Sequence, residues 1–119
     1  MIKVIDGKVY MVRGDDDALT VNLGDYEMAA GDTLTLTVRE LPTADSPVLV
    51  QITSAPGVAR IPIRHADTAD IPYGAYSADV QLMTADGLRR TVWPDNITDA
   101  SRMRAVNMKN FIFASEVTI

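Results

Sequence analysis

The feature that most constrains this chain is a two-residue hydrophobic alternation, broken by turn signals at roughly ten-residue spacing. It is cleanest from Thr33 to Arg39, where Leu34, Leu36 and Val38 fall on one side and Thr33, Thr35, Thr37 and Arg39 on the other. Successive side chains of a strand point to opposite faces, and β-branched Thr suits the wetter one. The same pattern runs from Ala75 to Thr84, predicted as the longest strand. Its inner row is Tyr76, Ala78, Val80 and Leu82; its outer row is Ser77, Asp79, Gln81 and Met83. Together these segments predict an all-β fold, an immunoglobulin-like antiparallel β-sandwich of about eight strands.

Shorter signals fill in the rest. Lys3-Val4-Ile5 and Lys8 to Arg13 flank Asp6-Gly7, a two-residue hairpin signal because both central positions need positive φ. Leu19, Val21 and Leu23 alternate with Thr20 and Asn22, and Gly24-Asp25 and Gly31-Asp32 bracket a loop with Tyr26 and Met28. A Pro42–Pro47 connection leads to Val48, Val50 and Ile52 on one face, and Pro56-Gly57 turns into Ile61 and Ile63. Pro62 lacks an N–H, which marks its strand as an edge or a bulge. From His65 to Ile71 alternation fails, and Asp67 is placed to cap a single helical turn. Ala85-Asp86-Gly87 returns the chain into Leu88 to Trp93 as an antiparallel hairpin, and Phe111 and Phe113 open a last strand. Between them, Asp95 to Asn110 reads equally as a polar loop or as one short helix near residues 96–109. The helical reading rests on a weak stripe of Ala100, Met103, Val106 or Asn107 and Asn110, with Asn96 or Asp99 as its cap.

At 119 residues, 47% hydrophobic and 23% charged, the chain is expected to be a single domain over residues 1–119. No apolar run approaches the length of a membrane-spanning helix, and Met1-Ile-Lys-Val leads into Asp6-Gly7 rather than an apolar secretory stretch. The net charge of −5 argues against nucleic acid or an anionic membrane as partner, since both call for a basic face. Arg89-Arg90, with Arg102 and Arg104 further on, read as a solvated turn and loop. With no Cys there are no disulfides, thiol nucleophiles or thiolate metal sites, and one His cannot make a two-His metal site.

Few groups could carry chemistry. Asp15, Asp16 and Asp17 could ligate a hard cation, but they lack the spaced ligands and distal Glu of a calcium loop, so a solvated turn is the plainer reading. Arg13-Gly14-Asp15 matches an integrin-binding tripeptide that is short enough to arise by chance. His65 with Asp67 and Asp70 has the residue types of a general-base group, without a partner nucleophile or a Gly-x-Ser-x-Gly elbow. Asp79, mid-strand on the outer row, is expected to pair across the strand with Arg or Thr. Trp93, Tyr10, Tyr26, Tyr73 and Tyr76 are the large amphipathic aromatics, able to make a contact surface or simply to pack. The acidic turn, Gly74 and a Tyr at the start of a long strand resemble the tyrosine corner of immunoglobulin-like sandwiches. No catalytic, cofactor-binding or metal residue is assigned.

Four segments in order carry a wider likeness: Gly31-Asp32-Thr-Leu-Thr-Leu-Thr-Val38; Asp67-Thr68 with Ile71-Pro-Tyr-Gly-Ala-Tyr76; Asp79-Val-Gln-Leu82 with Ala85-Asp86-Gly87; and Phe113 to Thr118. Over residues 8–119 the chain resembles the small β-sandwich domains of phage and prophage tail and baseplate proteins from Gram-positive gut bacteria, similar to the upper baseplate protein's N-terminal domain. The resemblance implies a non-enzymatic structural or assembly protein of a virion, without cofactor. Its implied partners are other tail or baseplate proteins and further copies of itself, met through edge strands and loops. Two departures accompany it. Asp95 to Asn110 is longer than the family's short connection, and the sequence stops at Ile119 where many relatives continue into a host-binding region. They point to a stand-alone adaptor or accessory subunit. Two rival expectations can be separated from it. A carbohydrate- or surface-binding module would expose Trp93 and Tyr26 together, and a small hydrolase would set His65 in a cleft beside a perturbed carboxylate.

Overall fold

The computed structural model describes residues 2–5, 7–43, 45–94 and 109–115. Among them are nine strands and one helical turn: β1 Lys3–Ile5, β2 Lys8–Val12, β3 Asp17–Thr20, β4 Thr33–Arg39, β5 Val48–Thr53, β6 Arg60–Ile63, α1 His65–Thr68, β7 Gly74–Met83, β8 Arg89–Trp93 and β9 Phe111–Ala114. The large sheet runs β1-β2-β9-β7-β4-β5, with β8 also on β7, and β3 and β6 form a second, two-stranded sheet. The fold is an all-β sandwich.

Alternation decides which face each strand buries. In β4, Leu34, Leu36 and Val38 are at most 1% exposed, while the Thr residues between them are half-buried. Across the ladder to β7 they meet Leu82, Val80 and Ala78, and across β5 Leu36 and Val38 meet Ile52 and Val50. Leu19 of β3 pairs with Ile61 of β6, and both turn toward the same core as β4 and β7. Fully burying one such aliphatic side chain is worth about 1.5–3 kcal/mol. One cluster spanning both sheets therefore holds the layers together. Phe111 and Phe113 join it from β9, with Phe113 edge-on to Tyr76 at 5.7 Å between ring centres.

The large sheet is mixed, because β2 and β9 run parallel (Val9 opposite Phe111, Met11 opposite Phe113) while its other pairs are antiparallel. Alternation reports which face a residue occupies and not which strand lies beside it, so the sequence pattern is silent on this pairing. The expected hairpins are present. β1 pairs with β2, and β7 with β8 through a turn in which Gly87 adopts φ +95° and donates its N–H to the Thr84 carbonyl at 3.0 Å. Tyr76 donates its hydroxyl to the Pro72 carbonyl at 2.6 Å, the tyrosine-corner bond. α1 is the single turn expected at Asp67, whose carboxylate accepts the Arg64 N–H at 2.8 Å. The expected helix near residues 96–109 lies outside the described residues up to residue 108, and Lys109 and Asn110 are neither helix nor strand; residues 116–119 also lie outside the described residues.

One edge of β7 is shared by two strands. β9 pairs with Gly74–Tyr76 and β8 with Val80–Met83, which leaves a gap at Ala78. Asn110 closes it. Its side-chain oxygen accepts the Ala78 N–H at 2.8 Å and its side-chain N–H2 donates to the Ala78 carbonyl at 3.0 Å. The Asn110 main chain bridges as well, donating to the Tyr76 carbonyl at 2.9 Å and accepting from the Val9 N–H at 2.8 Å.

Candidate functional site

A concavity lies on the outer face of the large sheet. The residues between the core positions of β4 and β7 form its floor: Thr37 opposite Asp79, and Arg39 opposite Ser77. β5 adds Gln51 beside Thr37, and β8 adds Thr91 beside Gln81. Leu41 to Thr43 form one wall and Pro94 another, enclosing about 440 Å³. The wall is fastened from below. Arg39 donates a guanidinium N–H to the Ser46 carbonyl, Leu41 donates its N–H to the Ser46 hydroxyl at 3.1 Å, and Ser46 donates its N–H to Thr43 at 3.1 Å. A strand-face row therefore becomes a groove because the β4–β5 connection folds back over it.

Two groups in the groove make no hydrogen bond to another side chain or main-chain group among the described residues. Ser77 is 6% exposed and its hydroxyl has no partner among the described residues, an uncommon state for a buried polar atom. Asp79 is half-buried; burial pushes its carboxyl above the usual range, and the Arg39 charge only partly opposes this. The expected cross-strand neighbours of Asp79 are in place, yet no hydrogen bond joins it to Thr37 or Arg39. Thr37 accepts instead from the Gln51 side-chain amide at 3.2 Å.

The other sequence candidates serve the fold. His65 is exposed, with Nδ1 2.6 Å from the Gly14 carbonyl and its N–H donated to the Asp16 carboxylate at 2.8 Å. The Asp67 carboxylate caps α1 by accepting the Arg64 N–H, and His65 is not among the residues that line the groove described above. The 13–17 turn is latched to the segment after β6. Gly14 donates to the Thr68 hydroxyl at 2.8 Å, and Arg13 donates to the Ile71 carbonyl at 3.3 Å and to the Tyr73 hydroxyl at 3.1 Å, its guanidinium 4.1 Å from the Tyr73 ring centre. The acidic run is thus half of a loop clasp, and no cluster of metal-ligating side chains occurs among the described residues.

Trp93 and Tyr26 do not form a shared exposed platform. A register shift at Val80/Gln81 sets Trp93 opposite Val80, where it packs against the core and lines an interlayer cavity of about 210 Å³ with Val9, Leu19 and Val21. Tyr26 is exposed and donates its hydroxyl to the buried Asp32 carboxylate, which also accepts the Ala29 N–H at 3.0 Å. These bonds hold Asp32 below the ordinary carboxylate range, the Tyr26 hydroxyl contributing most. Sequence reading named Asp79 but missed the groove, because the wall depends on a connection whose path no alternation encodes. It also assigned Asn110 to a weak helical stripe; a polar residue directly before the alternating Phe111-Ile112-Phe113 was the available signal.

A scan against protein-family models, a search of curated proteins and a search of solved structures each returned no match. Among the described residues no helix is long and apolar enough to cross a membrane.

Proposed function

We propose that this chain is a non-enzymatic assembly protein of a phage or prophage particle, a tail or baseplate adaptor or accessory subunit that works through protein–protein contacts. The observation that carries the contact mechanism is the N-terminal hairpin. Its outer strand β1 ends the large sheet and pairs only with β2 among the described residues, and Lys3, Val4 and Ile5 are all exposed. Val4 is 58% exposed and Ile5 53%. Natural edges are blunted by short strands, charge, Pro or bulges; β1 is short and carries Lys3, yet Val4 and Ile5 leave apolar surface on it. An open edge with apolar side chains suits strand addition by a neighbouring subunit. The particle assignment rests on the sequence resemblance over residues 8–119.

Two measurements test this reading. Light scattering at rising concentration should give a species larger than the monomer, reverting to monomer in Val4→Lys/Ile5→Lys. A chain that stays monomeric at every concentration, alone and with neighbouring gene products, refutes the edge mechanism. The gene should lie beside tail-fibre, holin or endolysin genes, and a neighbourhood without them counts against the particle.

A further inference from the structure

The edge-strand reading leaves the groove on the outer face of the sheet without a role. Its floor is polar, from Thr37, Gln51, Ser77, Asp79, Gln81 and Thr91, with Arg39 and Arg89 alongside, and its walls at Leu41, Pro42 and Pro94 are apolar. A sheet face that only met solvent would leave its polar groups hydrated. Here Ser77 is buried with an unpartnered hydroxyl, and Asp79 is half out of water without a donor from Thr37 or Arg39. Such groups are costly unless something supplies their hydrogen bonds.

The chemistry of that something can be narrowed. Asp79 can accept, whereas the Arg89 guanidinium, the Gln81 amide nitrogen and the N–H groups that Arg39 and Gln51 do not already give to Ser46 and Thr37 can donate. A cationic ligand would suit Asp79 but face both guanidinium groups. A phosphate would suit the arginines but lie against a carboxylate already strained by burial. An apolar ligand would find only Leu41, Pro42, Ala78 and Pro94 to cover. Vicinal hydroxyls donate and accept at neighbouring atoms and carry no charge, so they meet both demands at once. We infer that the outer groove of the β5-β4-β7-β8 face binds a neutral saccharide, with Asp79 accepting from sugar hydroxyls while Gln81, Gln51 and Arg89 donate to them. Recognition here is by hydrogen bonds on a flat pleated floor, and does not use the aromatic stacking that Trp93 and Tyr26 would have offered.

The inference does not depend on β1 or on a particle. Its test is a 1H–15N titration of the full chain with methyl α-glucoside, methyl β-galactoside and N-acetylglucosamine, each to millimolar concentration. Inorganic phosphate and a lysine-containing peptide serve as comparison probes. At least one sugar should shift the amides of residues 77–81 and 89–91 and the side-chain amides of Gln51 and Gln81. Asp79→Leu should weaken that binding by about tenfold or more, since a polar site rejects loss of a matched hydrogen-bonding partner. Should Asp79→Leu not fold, Arg89→Ala at the exposed rim takes its place with the same expected direction. Absence of groove shifts with all three sugars overturns the proposal. So do shifts produced by phosphate or the peptide alone, and sugar shifts that persist unchanged in a folded Asp79→Leu.

Discussion

Replacing Asn110 should damage this fold severely. Ala78 lies where β9 has ended and β8 has not begun, and it is 9% exposed, so neither its N–H nor its carbonyl can turn to water. The Asn110 carboxamide serves both at once, at 2.8 and 3.0 Å, and is itself 4% exposed. Asn110→Ala removes two hydrogen bonds and leaves two buried main-chain groups unsatisfied, at about 1–3 kcal/mol for each orphaned group. Allowing for partial entry of water, the expected loss is about 2–5 kcal/mol, a large share of the roughly 5–15 kcal/mol that holds a domain folded. Urea unfolding followed by Trp93 fluorescence measures it, and hydrogen exchange at the Ala78 amide locates it. Asn110→Asp gives a second handle. The carboxylate can still accept the Ala78 N–H, but its other oxygen faces the Ala78 carbonyl in place of a donor. Burial raises the carboxyl pKa of that variant, so its deficit should shrink as pH falls and the protonated acid regains an O–H donor. A loss below about 0.5 kcal/mol in Asn110→Ala, the range of ordinary surface changes, would refute the reasoning, as would an Ala78 amide that stays protected.

Other consequences follow from the same geometry. Asp32 has a lowered folded pKa, so its contribution is present above the unfolded carboxylate value and is lost as pH falls through the folded one. The urea midpoint of Asp32→Asn should therefore fall less steeply in acid than that of the parent. Asp79 has the opposite sign: its folded pKa is raised, so its ionisation opposes folding as pH rises through that value. Asp79→Asn should raise the neutral-pH thermal midpoint, by less than about 1 kcal/mol equivalent because the group is half in solvent, and the gain should vanish in acid. Tyr76→Phe should cost about 0.5–1.5 kcal/mol in urea unfolding through the lost bond to Pro72, with the ring packing on Phe113 retained.

Much of this protein was legible in the order of its residues. The period of two in Thr33–Arg39 and Ala75–Thr84 determined which row of side chains enters the core, because a strand offers only two faces; Ser77, buried on the outer row, is the exception it did not mark. Gly87 and Gly7 marked hairpins because their turns need positive φ, and Asp67 marked a helical turn because its carboxylate can reach back to an N–H. Only the tertiary structure decided the rest. That β9 lies parallel to β2, that β8 and β9 divide one edge of β7, and that Asn110 closes the gap are contacts between residues far apart in the chain, and alternation contains no partner information. The groove belongs to the same class. Its floor was already the outer row of two strands, but it became a concavity only when Ser46, held by Arg39, drew the β4–β5 connection back across that row.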